Sequence, residues 1–279
     1  MLRRVPTNMD AIKRVPPYSN KNMTDFQEFY QSISDVYDDM TGDSGRWERE
    51  QEFLSGMLSE YRWQRVLDAG CGTGGEAIAL AKLGAGVIGV DGTWDLLEIA
   101  QQKAETAGVK VEWFLDDIRV LKNPAVAGFD AVFCRGNTLP HLLTIDDLKA
   151  ALRSFKRVVR PGGYLVLQWL NYHRILEKRE RLVGVRESGN KVFLRFYDFG
   201  EEYIIFNLLM IDKAKGNSSE AGKAVVSWSS TTLKPWIMDE VNPILNDAGW
   251  QVEKRWGGTD RGFFERDKSK DILLVAKSG

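Results

Sequence analysis

The sequence predicts an α/β fold: a doubly wound, mostly parallel sheet of seven strands, with an antiparallel terminal hairpin and a small inserted antiparallel sheet. Three observations predict it. Between residues 62 and 170, short apolar runs alternate with helical-period segments, the pattern of right-handed strand–helix–strand crossovers. The first crossover turns on a glycine-rich stretch, VLDAGCGTGG at 66–75. Past residue 181, three runs rich in β-branched and aromatic residues follow one another with no helix between them.

Composition sets the bounds. The chain has 279 residues, 43% hydrophobic and 28% charged, which suits one open sheet with an insertion. A net charge of −1 argues against a general nucleic-acid or membrane-surface binder. No apolar run approaches the ~20 residues that span a bilayer. The only two cysteines, Cys71 and Cys134, offer no disulfide framework and point to a reducing, cytoplasmic compartment.

Residues 1–23 are basic, contain prolines and lack the apolar stretch of a secretory signal, so they are expected to form a disordered or loosely docked tail. Residues 24–61 predict two helices, 24–37 and 46–61, placed to fold over the mouth of the sheet as a lid. Tyr37, Asp38, Arg46 and Trp47 flank the break between them, where residues reach ligands.

The core is expected at 62–180. Strand 66–70 enters the Rossmann-like turn at Gly70, Gly72 and Gly74, and helix 76–83 stops at Gly84. Strand 87–91 follows, and Thr93 is placed to cap a helix reaching about 106, with Leu96 and Leu97 inward and Gly108 at its end. Strand 109–115 leads to Asp116 and Asp117; strand 129–134 opens into RGNTLPHL. Thr144 and Asp147 form an acidic capping box for a helix that Pro161-Gly162-Gly163 is expected to end. After strand 164–169 and LNYHRIL, residues 181–232 form the inserted sheet over the active edge. Residues 233–279 return to a helix, 233–248, and two hairpin strands, 251–256 and 271–276.

The carboxyl ends of parallel strands form a ligand crevice, and acids recur there. Asp68 precedes the glycines, where it would repel a pyrophosphate and attract an ammonium. Asp91 ends the next strand and can accept from two ribose hydroxyls. One acid for an amine and one for a ribose describe S-adenosylmethionine better than a dinucleotide. Gly92, Leu96, Asp117, Ile118 and Arg135 join these as candidate cofactor-binding residues. Asp117 is expected to accept from the adenine amino group while the Ile118 amide donates to the ring; Asp116 divides evenly between ligand contact and capping.

With these motifs in this order, residues 25–279 resemble the class I S-adenosylmethionine-dependent methyltransferases. More narrowly, the chain is similar to the glycine and sarcosine N-methyltransferases. CRGNTLPHL resembles that family's Cys-Leu-Gly-Asn-Ser-Phe-Ala-His-Leu, and LNYHRIL its Arg-Asn-Tyr-Asp-Tyr-Ile-Leu. The resemblance implies that Asn137 contacts the acceptor, that Arg46 pairs with the cofactor's carboxylate and that Tyr37 lies near both. Where the family carries an arginine that grips the glycine carboxylate, this chain has Leu170, which cannot form a bidentate ion pair.

The acceptor side should hold Asn137, His141 and Tyr172 as catalytic candidates, with Asn171, His173 and Arg174 beside them. Arg135 or Arg174 is available to hold an anionic group, Arg135 with the better placement. Arg195 and Tyr197 become specificity residues if the inserted sheet covers the cleft. No His, Asp and Glu cluster stands at metal spacing, and nothing at the end of strand 129–134 matches a nucleic-acid base methyltransferase, so a small-molecule acceptor is expected. The leading expectation is N-methylation of an amine or amino acid. The rivals are an O-methyltransferase with His141 as base, losing rate steeply near pH 6, and a non-catalytic cofactor-binding regulator.

Overall fold

A computed structural model describes residues 12–14, 25–42, 44–123, 127–213 and 224–279, with the side chains of 12–14 and 44–47 left aside. The rest of the expected tail, 1–11 and 15–23, lies outside the described residues. Its short strand β1 (Ile12–Arg14) adds an eighth, edge position to the main sheet.

The N-terminal helical pattern is divided more finely than its spacing predicts. Helix α1 (Asp25–Ile33) gives way to a 3-10 turn at Ser34–Val36, then to the short α2 (Tyr37–Thr41) and the long α3 (Ser44–Tyr61). Apolar spacing does not report such a turn, because a tightened turn keeps side chains at similar intervals.

The sheet follows as β2 (Arg65–Ala69), β3 (Gly86–Asp91), β4 (Val111–Leu115), β5 (Phe129–Cys134) and β6 (Val159–Leu170), with α4 (Gly75–Lys82), α5 (Trp94–Ala107) and α6 (Ile145–Val158) as crossovers. Helix α7 (Tyr172–Lys178) leaves β6 for the insertion: β7 (Leu182–Ser188), β8 (Lys191–Phe199), β9 (Ile204–Asp212) and β10 (Val225–Leu233). Helix α8 (Met238–Asp247), β11 (Trp250–Trp256) and β12 (Asp271–Ser278) complete the chain. The order is β1-β4-β3-β2-β5-β6-β12-β11. Its one reversed strand is β12, antiparallel to both β6 and β11, so the expected doubly wound architecture holds.

Both faces of the sheet are covered. Helices α6 and α8 bury Leu148, Phe155, Val241 and Leu245 on one side; α3, α4 and α5 bury Met57, Leu80, Leu97 and Ala100 on the other. Three buried indoles have their N–H groups satisfied: Trp169 donates to the Trp236 carbonyl, Trp236 to Leu142 and Trp250 to Leu152, at 2.9–3.0 Å.

Several local features differ from expectation. Helix α6 has the predicted capping box, with the Asp147 amide donating to Thr144 Oγ1 at 3.1 Å, but it stops at Val158. Pro161-Gly162-Gly163 sits instead inside β6 as a bulge, where the register opposite β5 jumps from Val159 to Tyr164. Thr93 precedes α5 without a side-chain cap; its own amide donates to Asp91 Oδ1 at 2.8 Å. Leu233 belongs to β10, so α8 starts five residues late. The inserted sheet has four strands, not three, in the meander β10-β9-β8-β7. The extra strand β7 hides in the sequence because Gly184 interrupts it and Leu182 and Val185 face outward, 60% and 59% exposed.

Candidate functional site

The glycine turn is held by its own backbone. The amides of Gly70 and Cys71 both donate to the Val90 carbonyl, at 2.7 and 3.0 Å, and Gly74 donates to Cys71 at 2.9 Å. Gly70, Gly72 and Gly74 all have positive φ, which L side chains rarely adopt. Space forbids substitution as well: a Cβ on Gly70 would stand 2.5 Å from Thr138 Cγ2, and one on Gly74 2.5 Å from the buried Trp113 ring. The turn opens on a cavity of about 510 Å³ at the carboxyl edge of the sheet.

Asp68 and Asp91 both line that cavity and are both buried. Burial, then the neighbouring Glu76, raise the Asp68 pKa well above the usual carboxylate range, while Arg135 opposes the shift. Its Oδ2 has no hydrogen-bond partner among the described residues. A buried, orphaned carboxylate oxygen on a cavity wall is costly until a cation meets it. Asp91 is held by two backbone amides, Gly72 to Oδ2 and Thr93 to Oδ1, each at 2.8 Å. Those bonds fix its orientation and leave about two of its four lone-pair positions for a ligand. Burial raises its pKa too.

Gly92, Leu96, Asp117 and Ile118 line the same cavity, but most of the Asp117 carboxylate is already engaged. Three N–H donors of Arg119 reach it at 2.6–3.0 Å: the backbone amide, Nη2 and an Nε–H shared between both oxygens. Those donors leave about one of its four acceptor positions, so Asp117 serves first as an anchor for Arg119 and has little left for the expected adenine amino group. Asp116 staples its own loop, accepting from the amides of Asp117 and Asn123.

A second cavity of about 680 Å³ adjoins the first. Tyr30, Tyr37, Arg135, Gly136 and His141 line both. Tyr37 also lies over the glycine turn, its hydroxyl 3.9 Å from where a Gly72 Cβ would be. Asn137 faces the second cavity with φ 68°, a conformation asparagine tolerates better than most residues. Its Oδ1 accepts from the Leu170 amide at 3.2 Å, and its Nδ2 donates to the Tyr172 hydroxyl at 2.9 Å.

Tyr172 itself is fully buried and lines neither cavity, so its expected catalytic place is corrected: it orients Asn137 from behind. Arg135 is also corrected as an anion clamp. Its guanidinium is spent on Glu76 at 2.5 Å and Glu50 at 2.7 Å, and it lies over the Phe53 ring. Arg174 pairs with Glu180 away from both cavities, and Asn171 caps α7. Arg195 and Tyr197 do line the second cavity, from β8. The Arg46 side chain lies outside the described residues.

His141 Nε2 and the Tyr30 hydroxyl are 3.0 Å apart. Burial pushes the imidazole down to about 4. The ring is therefore neutral throughout the physiological range, and His141 does not supply the expected loss of rate near pH 6. Burial raises Tyr30 and Tyr172 well above the ordinary phenol value.

Sequence reasoning missed Glu50, Glu76, Tyr30 and Arg119. Glu76 carried a readable signal, an acid directly behind a glycine turn. Tyr30 read as one more apolar position of an amphipathic helix. Among the described residues, His173, Glu177 and Asp267 bring their ligand atoms within 4.8 Å, but the two acids are exposed and none lines a cavity named above.

A methyltransferase-domain family model matches residues 66–163. The glycine/sarcosine N-methyltransferase of Parasynechococcus marenigrum is 32% identical over 242 residues, 86% of this chain and 82% of that protein. The glycine N-methyltransferase of Rattus norvegicus is 35% identical over 156 residues, 51% of each. Likeness of fold extends to an S-adenosylmethionine-dependent methyltransferase from Clostridium acetobutylicum, with a TM-score of 0.74 and 16% identity over 90% of this chain and 99% of that one. It extends also to the CcbJ methyltransferase from Streptomyces caelestis, with a TM-score of 0.73 and 24% identity over 88% and 96%. An orphaned acid, a second acid held by amides, glycines with no room for side chains and this relationship agree: the chain belongs to the S-adenosylmethionine-dependent methyltransferases, in the family of the glycine/sarcosine N-methyltransferases.

Proposed function

We propose that the enzyme methylates the nitrogen of a small amine, with the donor in the first cavity and the acceptor in the second. S-adenosylmethionine supplies an electrophilic methyl group on a sulfonium with a neutral leaving group. Asp68 receives the donor's ammonium, Asp91 its ribose hydroxyls, and Gly92, Leu96 and Ile118 line the space for its base. The shared wall of Tyr30, Tyr37 and Gly136 sets the line between the cavities, and Asn137, braced by Tyr172, orients the acceptor.

The observation that carries the choice of nitrogen is the state of His141. An amine attacks with its own lone pair, whereas a hydroxyl ordinarily needs a base poised near the working pH. The imidazole at the junction is pushed down to about 4. Placement alone, with the reacting atoms about 3 Å apart and in line, supplies much of the acceleration for such a transfer. The S–CH₃ bond breaks as the N–CH₃ bond forms, the electron pair returns to sulfur, and the product ammonium loses its proton to solvent.

The test is a screen of amine, amino-acid and phenol pools for a mass gain of one methyl group, with fragmentation to place it. Methyl groups found only on oxygen would overturn the reading.

A further inference from the structure

The inserted sheet is apolar on both faces. An antiparallel sheet with one face on the protein and the other in water alternates apolar and polar residues along each strand. Inward, Phe193 and Leu208 pack on Phe29, Ile33 and Met40 of the N-terminal helices. Outward, where polar residues belong, the register aligns Trp228, Leu209, Leu194 and Val185 in one row across all four strands. The next row toward one end carries Val226, Ile211 and Val192; the next toward the other carries Phe196 and Leu182. The rings of Trp228 and Phe196 meet edge to face, with centroids 5.3 Å apart. Val226 and Trp228 are each 58% exposed on β10, matching Leu182 and Val185 on β7. Of the ten large hydrophobic residues exposed among the described residues, six lie on these two strands, so apolar exposure is concentrated here and not scattered.

Size and charge choose the occupant. Four strands about 4.8 Å apart and about nine residues long, at about 3.4 Å per residue, give a footprint of roughly 600 Å² before side-chain relief is added. That is comparable with the ~800 Å² each partner contributes to a stable interface. Glu187 and Asp198, the acids that share this face, are neutralised within the sheet, by Lys213 at 3.6 Å and Arg181 at 2.5 Å. Among the described residues the face therefore lacks the basic excess that draws a lipid headgroup or a phosphate backbone. A flat, apolar face with balanced charge is complementary to itself, because a two-fold axis lays the same rows on one another.

We infer that the outward face of the inserted sheet seats a second copy of this chain, packed sheet on sheet about a two-fold axis, with Trp228 and Leu209 in the contact. Sheets packed in this way lie about 10 Å apart. The inward face of the same sheet carries Tyr197, Phe206 and Leu233 into the second cavity, so the pairing backs one wall of that cavity.

The test is sedimentation velocity on the full chain across micromolar concentrations. The wild type is expected at twice the chain mass, or as a larger even-numbered assembly. Trp228→Arg should weaken association about a hundredfold or more, the loss expected of a buried aromatic anchor, and so halve the mass. Phe263→Ser, at an 86% exposed residue outside this sheet, should leave the mass unchanged. A wild type that is monomeric throughout, including one that instead sediments with phospholipid vesicles, would overturn the inference. So would an assembly that survives Trp228→Arg, or one that Phe263→Ser dissolves as readily. Should Trp228→Arg fail to fold, hydroxyl-radical labelling of the wild type decides: Trp228 labelling must fall as concentration rises while Phe263 labelling stays constant, and constant labelling of both overturns the pairing.

Discussion

The two cavities share a wall, yet they are built in different ways. The cofactor cavity rests on the ends of adjacent parallel strands. Its defining residues lie between 68 and 92, and three of them are held closely by neighbours: Gly70 against Thr138, Gly74 against Trp113, Asp91 between two amides. The acceptor cavity is assembled from distant pieces, α1 and α2, the β5 and β6 ends, and the inserted sheet. Helix α1 is tied to both structures it bridges, through Gln27 Nε2 to the Gly92 carbonyl at 2.8 Å and through Asp25 Oδ2, which accepts from the Thr232 amide at 2.7 Å. A site for an invariant ligand can be rigid in one motif. One that selects an acceptor draws on parts that can vary independently.

The largest expected effect strikes the rigid cavity. Gly74→Val adds side-chain atoms where a Cβ alone is 2.5 Å from Trp113 and 2.8 Å from Ala100, at φ 75°. It should cost on the order of 3 kcal/mol or more in denaturant unfolding and abolish cofactor binding. Gly136→Ala sharpens the contrast: its φ is 73° but nothing among the described residues lies within 4 Å of its Cβ, so only the backbone strain, about 1 kcal/mol, is expected. Equal losses in the two variants would remove the claim that packing dictates the glycine turn.

Next in size is Asp68→Ala, expected to weaken S-adenosylhomocysteine binding by about 2 kcal/mol or more, read by calorimetry. The sign of its pH dependence follows from burial. The Asp68 pKa is raised in the free enzyme, so below it the carboxyl is neutral and binding an ammonium must expel the proton. Affinity should rise with pH through that raised pKa and then level, and titrations in buffers of different ionisation enthalpy should show proton release. A variant with wild-type affinity and the same proton release would place the ligand's amine elsewhere.

On the acceptor side, Tyr172→Phe removes the hydroxyl that braces Asn137. We expect roughly a tenfold loss in kcat/KM for the acceptor, about the value of one buried hydrogen bond, with S-adenosylhomocysteine affinity unchanged. A change confined to cofactor affinity would mean that the two cavities are not separable.

The same contrast explains what the sequence made legible. The cofactor cavity was readable because a turn, two acids and the strand pattern around them fall within one short stretch, where chemistry and spacing constrain each other. Asp117 misled because acceptor capacity is a property of partners, and Arg119, two residues on, takes most of it. Tyr172 and Arg135 had the right chemistry at the right strand ends, but burial behind Asn137 and pairing with Glu50 from α3 are long-range outcomes that no local pattern encodes. The strand β7 escaped for the opposite reason: Leu182 and Val185 face out, so the alternation that marks a half-buried strand is absent.

The smallest expected effect on activity, none near pH 6, tests the junction. His141 has its folded pKa depressed to about 4 from an ordinary 6.5, so it contributes stability above 6.5 that is lost as pH falls through 4. The wild type should therefore lose on the order of 3 kcal/mol more than His141→Gln between pH 7.5 and 4, seen in urea midpoints at the two pH values. Activity should show no inflection near pH 6 that depends on this residue. If such an inflection appeared in the wild type and vanished in His141→Gln, the imidazole would be titrating in the working range. It would then be available to take a proton from a hydroxyl acceptor, and the argument for nitrogen would lose its footing.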